Sequence, residues 1–185
     1  MTSEKIQPFA AAVGHYAPAM EQPNRLERMI MRLTAQRKCL AQGLALIADL
    51  PGPILEFGLG KGRTYDYLRS HANGRRIIAF DRDINCPPDC VPAPADLVLG
   101  EFRQTVPGAG ERLGQPAALA HFDVGSENPA ADEAGVTWLS AAADPLIAPG
   151  AVVISDRAMS NPRWCSLPAP PGGSDGSHFM YRVEG

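Results

Sequence analysis

The most restrictive feature of this 185-residue sequence is the segment 54–62, Ile-Leu-Glu-Phe-Gly-Leu-Gly-Lys-Gly, where an apolar run meets an acid and three alternate glycines. Gly58 and Gly60 allow a positive backbone angle φ and a close approach to a bound molecule, and Gly62 lets a following helix start close to the sheet. The pattern predicts a buried strand, a glycine-rich turn and a helix. In doubly wound α/β proteins, a nucleotide-like ligand binds at such a turn.

The spacing of the glycines argues against two common ligand types. A dinucleotide fingerprint needs its third glycine one position later, where this chain has Arg63. A phosphate-binding loop ends in Gly-Lys-Ser or Gly-Lys-Thr, whereas Lys61 lies between two glycines. Glu56 would repel a pyrophosphate but attract a ligand that carries an ammonium or sulfonium charge. The turn therefore predicts a site for a cationic ligand.

A second acidic position follows the turn at a distance that points to a nucleoside. Residues 76–81, Arg-Ile-Ile-Ala-Phe-Asp, predict a buried strand that ends in Asp81, 21 residues beyond Gly60. An acid about 20 residues past such a turn commonly accepts both hydroxyls of a ribose. The spacing therefore predicts an adenosine-containing ligand.

With these two motifs, residues 53–156 resemble the class I S-adenosylmethionine-dependent methyltransferases, whose first motif is an acid followed by Gly-x-Gly-x-Gly. The resemblance implies that S-adenosyl-L-methionine is the cofactor. It implies that Gly58, Gly60 and Gly62 hold the methionine part of this molecule. It also implies that Glu56 interacts with the amino group, directly or through water.

The same resemblance implies roles for polar residues at the ends of later strands. Asp81 would hold the ribose, Glu101 would approach the adenine N6, and Phe102 would contact the adenine ring. Asp123 ends the fourth predicted strand, which faces the transfer site in this fold, so it is the candidate catalytic residue, as general base or as the group that orients the acceptor. The alternative is an acid that caps the next turn. His121, on the same strand face, is a second candidate, although a lone strand histidine is more often a packing residue.

Metal-assisted O-methylation is an alternative mechanism, because Asp123 and Asp156 resemble two magnesium ligands of catechol-type methyltransferases. Those enzymes follow the second aspartate with asparagine, whereas this chain has Arg157, a cation that disfavours a divalent metal. Cys86 and Cys90 form an isolated Cys-x-x-x-Cys pair without the two further ligands that zinc would need. We therefore predict no metal site.

Length and hydrophobic pattern predict a single domain over residues 1–185, of the Rossmann-like doubly wound α/β class with a mainly parallel sheet. The resemblance implies that this is an S-adenosylmethionine-binding methyltransferase domain. Residues 1–23 are predicted to form an irregular arm. A capping box at Asn24 and Glu27 opens a long amphipathic N-terminal helix, whose apolar stripe would pack on the sheet or form a homodimer face. Further helices are predicted at 64–71 and near 132–146. The predicted strands begin at Ile54, Arg76, Ala95, Ala118, Ala151 and His178.

The end of the chain departs from the family pattern, which continues after the fifth strand with a helix and an antiparallel hairpin. Residues 157–177 are rich in proline, glycine and serine, and only residues 178–183 alternate like a strand. We therefore expect a trimmed C-terminal end and a sheet of six strands. The intervening loop is a candidate lid or substrate wall.

Composition restricts the partners that the chain is expected to bind. The net charge of −3 gives no basic face for nucleic acid. No run approaches the roughly 18 apolar residues that span a bilayer, and the N-terminus lacks a secretory pattern, which predicts a cytoplasmic protein without membrane contact. With no recognition domain, the leading hypothesis is methyl transfer to a small-molecule acceptor. The alternatives are a catalytically silent S-adenosylmethionine-binding module and, more remotely, a nucleotide-dependent oxidoreductase.

Overall fold

The computed structural model of the protein describes residues 22–125, 129–173 and 176–185. Of the irregular arm expected over residues 1–23, all but residues 22 and 23 lie outside the described residues. The strands are β1 (Ile54–Phe57), β2 (Ile77–Asp81), β3 (Leu97–Leu99), β4 (Ala117–Phe122), β5 (Ile147–Ser155), β6 (Trp164–Leu167) and β7 (Phe179–Val183). The α-helices are α1 (Arg25–Leu46), α2 (Arg63–His71), α3 (Phe102–Thr105), α4 (Gly110–Leu113) and α5 (Pro129–Ala143).

The seven strands form one sheet in the order β3-β2-β1-β4-β5-β7-β6. Strands β1 to β5 pair in parallel, and β7 runs antiparallel to both β5 and β6. The side chains of β1 and β4 are buried along their whole length, as expected for central strands with helices on both faces. The predicted fold class, a Rossmann-like doubly wound α/β fold with a mainly parallel sheet, is confirmed.

The expected count of six strands is wrong, because the described residues alone contain seven. Residues 164–167 form β6, which pairs with β7 in the register Trp164 to Val183 and Leu167 to Met180. The segment is only four residues long and lies among prolines, so its composition does not predict a strand. Pairing with β7 stabilises it. The C-terminal end is nevertheless shortened, because residues 156–163, all of which are described, contain no helix.

Helix α1 begins as predicted and is amphipathic over only part of its length. The Asn24 side chain accepts a hydrogen bond from the Glu27 backbone N–H at 3.0 Å, and the Glu27 carboxylate accepts one from the Asn24 N–H at 2.8 Å. The second half of the helix buries Cys39 and Leu40 against the sheet. In the first two turns, by contrast, the large apolar side chains are exposed: Leu26 by 69%, Met29 by 49%, Ile30 by 55% and Met31 by 46%.

The opposite face of the sheet is filled by aromatic side chains that follow the same register. The ring of Phe57 stacks on Phe80 on one side and on Phe122 on the other, with centroid distances of 4.8 and 4.5 Å. These three residues occupy matching positions near the carboxyl ends of neighbouring strands. They form a stacked aromatic layer close to the loops that follow the strands. Within the described residues, no helix has both the length and the hydrophobicity that crossing a membrane requires.

Candidate functional site

The glycine-rich turn adopts the strand–turn–helix geometry that the sequence predicts. Gly58, Gly60 and Gly62 have φ values of +94°, +50° and +75°, all in the region that favours glycine. A side chain at position 58 would collide with the backbone carbonyl of Asp123, whereas the space at position 60 is open. The first glycine therefore brings β1 and the end of β4 together, and the second leaves room beside the turn.

Gly62 is required for a reason different from the expected close packing of the helix on the sheet. A β-carbon at this position would lie 2.7 Å from Cβ of Cys90 and 3.0 Å from Cβ of Cys86. Both cysteines belong to the loop between β2 and β3, which therefore packs directly on the start of α2.

The carboxylate of Asp81 ties the end of β2 to the turn. One oxygen accepts a hydrogen bond from the Gly60 N–H at 2.8 Å, and the other accepts one from the Arg82 N–H at 2.6 Å. Asp81 is half-buried, so its carboxylate keeps contact with solvent beside the turn. This position is compatible with its predicted role toward a ribose, which stays a prediction.

Glu56 has no exposed surface, and both of its carboxylate oxygens are engaged. One oxygen accepts a hydrogen bond from the hydroxyl of Thr64 at the start of α2, and the other lies 2.8 Å from Nδ1 of His121 on β4. The predicted direct contact with a ligand amino group would require one of these partners to move. In this arrangement Glu56 joins the turn to the neighbouring strand.

The structure places His121 beside Glu56 and buries it completely. Burial lowers the pKa of the imidazole, but the carboxylate of Glu56 outweighs this effect and raises the pKa above its ordinary value. The Nε2 atom is also buried and has no hydrogen-bond partner among the residues that are described. His121 is therefore a buried partner of Glu56 and is not exposed to a ligand in this arrangement.

Asp123 lies at the end of β4 and is held by two side chains of α1. Its carboxylate accepts hydrogen bonds from Nη2 of Arg32 at 2.7 Å and from Nε2 of Gln36 at 2.9 Å. Burial acts to raise the pKa of Asp123, but the charge of His121, the bond from Gln36 and the charge of Arg32 together hold it below its usual range. A carboxylate with a lowered pKa is a poor proton acceptor and a good group for orienting a ligand.

A cavity of about 300 Å³ lies between α1 and the carboxyl ends of the strands. It brings together Asp123 and Asp156 with the glycine-rich turn. Asp156 is paired with Arg157 at 3.2 Å, so each of the two aspartates already has an arginine partner. Across the described ranges, no group of three or more His, Cys, Asp or Glu side chains is arranged to hold a metal ion. The residues around this cavity are Arg32, Leu33, Gln36, Gly58, Leu59, Gly60, Lys61, Arg63, Thr64, Asp123, Gly125 and Asp156.

Glu101 and Phe102, the residues predicted around an adenine, line a second cavity of about 180 Å³. Phe102 packs edge-to-face on Phe57 at a centroid distance of 6.0 Å, while the Glu101 side chain is largely exposed. Asp123 and Gly125 line the first cavity and the intervening Val124 lines the second, so the chain after β4 separates the two. The second cavity is also lined by Arg103, Gly135, Val136, Trp138 and Leu139.

The sequence analysis missed His178, a buried histidine that directly precedes β7. Its Nε2 has no hydrogen-bond partner within the described residues, and its Nδ1 lies 3.0 Å from the Ser177 hydroxyl. Burial lowers the pKa of His178 to about 4, and the positive charges of His121 and Arg32 act in the same direction. A last strand that runs antiparallel to its neighbours starts at the edge where the parallel strands end. This rule could have placed His178 at the same edge as the predicted site. Arg32 and Gln36 were also missed, because no local pattern places this part of α1 beside the end of β4.

With this geometry established, comparison with known proteins gives the family. The family model of S-adenosyl-L-methionine methyltransferases matches residues 23–183. The crystal structure of an S-adenosyl-L-methionine methyl transferase from Silicibacter pomeroyi DSS-3 is 39% identical, with a TM-score of 0.81 over 87% of this chain and 99% of that chain. The chain belongs to the S-adenosyl-L-methionine methyltransferase family. It is therefore an enzyme whose methyl donor is S-adenosyl-L-methionine.

Two more distant structures share the fold alone. Burkholderia thailandensis 1,6-didemethyltoxoflavin-N1-methyltransferase, bound to 1,6-didemethyltoxoflavin and S-adenosylhomocysteine, is 15% identical with a TM-score of 0.51, over 85% of this chain and 82% of that chain. Human methyltransferase-like protein 13, in complex with S-adenosylhomocysteine, is 14% identical with a TM-score of 0.52, over 84% and 81%. Among curated proteins, none matches this chain.

The residues present fit this methyl donor. The turn leaves open space at Gly60, and the half-buried carboxylate of Asp81 adjoins it. On one side, the cavity at Phe102 and Trp138 offers aromatic walls that suit a purine ring. On the other side, the cavity at Asp123 and Asp156 offers charged side chains of both signs beside the turn, which suits the amino and carboxylate groups of an amino acid.

Proposed function

We propose that this enzyme transfers the methyl group of S-adenosylmethionine to a small molecule that binds in the 300 Å³ cavity between α1 and the ends of β4 and β5. The observation that carries the proposal is the size and lining of this cavity, which joins the glycine-rich turn to Asp123 and Asp156. Such a volume suits a small organic acceptor. The small substrate named for the Burkholderia relative is consistent with this class of acceptor.

In this proposal the cofactor lies along the turn between the two cavities. Gly58, Gly60 and Gly62 would hold the methionine part, and Asp81 would accept the ribose hydroxyls. Glu101 and Phe102 would bound the adenine cavity, as the exposed acid and the aromatic wall respectively. When bound, the cofactor supplies a methyl carbon that is already activated by its sulfonium sulfur.

The chain's own contribution to the chemistry is alignment, charge and exclusion of water. We assign Asp123 to orienting the acceptor, because its lowered pKa opposes a role as general base. Arg32 and Gln36 fix the carboxylate in place. His121 is better suited to holding Glu56 in position than to touching the acceptor, since it is fully buried.

His178 is buried and is not among the residues that line this cavity. Its low pKa keeps the imidazole neutral at neutral pH, and Nε2 is unpaired within the described chain. The charges of Asp123, Asp156 and Arg32 all act on its pKa. We do not assign proton transfer to His178, because its side chain is buried and a pKa of about 4 makes it a weak proton acceptor.

The proposal is tested in two stages. Isothermal titration with S-adenosylhomocysteine first measures cofactor binding, and radiolabelled methyl transfer is then screened against small hydroxyl, amine and thiol acceptors. We expect turnover with members of one class and none with the cofactor-binding variant Asp81→Ala. Tight cofactor binding without turnover on any acceptor would favour a silent binding module. Transfer only to protein or RNA would exclude a small-molecule acceptor.

We also propose that the exposed apolar side chains on the first two turns of α1 form a homodimer face, since four large apolar residues within six positions are unusual on a free surface. Light scattering should show a dimer that Ile30→Glu converts to a monomer. Leu46→Glu, at the other end of α1, is the matched control and should remain dimeric. A monomeric wild-type protein would exclude this face as a dimer contact. The expected cytoplasmic location stays a prediction.

A further inference from the structure

The loop between β2 and β3 places two cysteines against the cofactor-binding turn, and the methyltransferase reaction does not use them. Both β-carbons lie within 3.0 Å of the point where a side chain on Gly62 would begin. The Sγ atom of Cys90 lies 3.5 Å from the same point. Two β-carbons that both lie within 3.0 Å of one point are close neighbours, and their separation is compatible with the spacing of about 3.5–4.5 Å between β-carbons in a disulfide.

The surroundings of the pair connect it to α2. Cys86 and Cys90 are both partly exposed free thiols, and they line a cavity of about 570 Å³ together with Lys61 and Gly62. The backbone carbonyl of Asp89, between the two cysteines, accepts a hydrogen bond from the Arg69 side chain of α2. The loop is therefore fixed to α2 next to the turn, and small molecules can reach the thiols through the open cavity.

We propose that Cys86 and Cys90 are a redox modification site that forms a disulfide on exposure to a small-molecule disulfide and thereby weakens cofactor binding at the adjacent turn. A disulfide would draw both sulfur atoms together beside Gly62, where the Cys90 Sγ already lies 3.5 Å from the point at which a side chain would begin. Because the loop packs directly on the start of α2, we expect the start of α2 to adjust when the bond forms. Because Gly60 and Gly62 belong to the same turn, this adjustment alters the surface that receives the cofactor.

The covalent step balances with a glutathione-type oxidant. One protein thiolate attacks the oxidant's S–S bond, which gives a mixed disulfide and releases one glutathione thiolate. The second protein thiolate then attacks the mixed disulfide, forms the Cys86–Cys90 bond and releases the second glutathione thiolate. The protein loses two electrons and two protons, and the oxidant is reduced to two thiols.

The reaction should depend on pH in a defined direction. Burial raises the pKa of the Cys90 thiol, and the carboxylates of Asp89 and Asp66 raise it further. Arg69 on α2 acts in the opposite direction, and the neighbouring thiol of Cys86 also raises the pKa. Since the thiolate is the reactive form, oxidation should become faster as the pH rises above neutrality.

The test uses the full chain, oxidised glutathione and S-adenosylhomocysteine. The oxidised protein should lose the mass of two hydrogen atoms, peptide mapping should assign the bond to Cys86 and Cys90, and the dissociation constant of S-adenosylhomocysteine should rise about fivefold or more. A reductant should restore the affinity. Cys86→Ser and Cys90→Ser should bind equally with and without oxidant, whereas Cys165→Ser, at an exposed cysteine elsewhere, should respond like the wild type.

Two results would overturn the proposal. One is the absence of an intramolecular disulfide, with glutathione attached singly or not at all. The other is a Cys86–Cys90 disulfide that leaves the affinity for S-adenosylhomocysteine unchanged or higher. Neither measurement needs a methyl acceptor, so the outcome is independent of whether the acceptor class proposed above is correct.

Discussion

His121 Nδ1 lies 2.8 Å from a carboxylate oxygen of Glu56, and both side chains are completely buried at the carboxyl end of the sheet. The two residues sit opposite each other in the register of β1 and β4. Glu56 also accepts a hydrogen bond from the Thr64 hydroxyl on α2, so the pair links two strands and the helix that follows the turn. Removing one partner of a buried ion pair destabilises the folded state, because the remaining charge is left uncompensated.

Replacing Glu56 with glutamine should therefore destabilise the fold. The variant keeps an acceptor for Thr64 but leaves His121 without its counter-charge, and we expect a loss on the order of 3 kcal/mol in the free energy of unfolding. Urea denaturation at pH 6 measures this change. Glu111→Gln, at an exposed position on α4, is the matched control and should stay within about 0.5 kcal/mol of the wild type.

The effect of Glu56→Gln should also shrink at alkaline pH. The folded state raises the pKa of His121, so the stabilisation is fully present below the ordinary histidine pKa and is lost as the pH rises through the raised value. The difference between the two urea midpoints should therefore decrease from pH 6 toward alkaline pH. A difference that does not change with pH would show that His121 is neutral in the folded protein.

The contribution of His178 to the stability of the fold should depend on pH in the opposite direction. Its pKa falls from an ordinary value of about 6.5 to about 4 on folding, so between these values the unfolded chain binds a proton that the folded protein does not. Wild-type stability should consequently fall by about 3 kcal/mol from this group as the pH drops from 7 to 4. Comparing urea unfolding of His178→Asn with the wild type isolates this component. His71→Asn, at an exposed position on α2, should retain it.

Asp81→Asn should weaken binding of S-adenosylhomocysteine by about 1.5–3 kcal/mol, the scale of hydrogen bonds to a charged group. The amide can still accept the Gly60 N–H, so the turn keeps its shape while the negative charge is removed. Isothermal titration measures the affinity, and Asp83→Asn, at an exposed position two residues later, serves as the control. Equal affinity in Asp81→Asn and the wild type would remove Asp81 from the cofactor site.

The first two glycines of the turn should differ in their tolerance of alanine. At Gly60 the space is open, so Gly60→Ala should cost about 1–2 kcal/mol of stability from the left-handed backbone alone. At Gly58 the added carbon meets the Asp123 carbonyl, and overpacking should add about 1–3 kcal/mol. Thermal or urea unfolding of the two variants gives the comparison. Equal stabilities would contradict the close approach of β1 to the end of β4.

The parallel half of the fold was predictable because its signals are local. The alternate glycines, the apolar run before them and the acid of Asp81 each follow from backbone geometry or burial over a few residues. The capping box at Asn24 and Glu27 is equally local, and the structure contains it. By contrast, β6 depends on pairing with β7, a contact between segments that the proline-rich residues separate.

The same distinction explains what was missed in the site. Asp123 was found because it ends a strand, but its partners Arg32 and Gln36 lie about 90 positions earlier in the chain, and only the docking of α1 brings them close. The burial of Glu56 was also not foreseen, since a motif gives an acid's position and not its exposure. His178 would have required the strand order, which places β7 next to β5.

That strand order has a consequence for how the protein matures. β7 is the last of the seven strands to leave the ribosome, yet it is inserted between β5 and β6. Until it arrives, β6 has nothing to pair with and one border of β5 stays open to other chains. Nascent or C-terminally truncated molecules should therefore be prone to aggregation until β7 pairs with both neighbours.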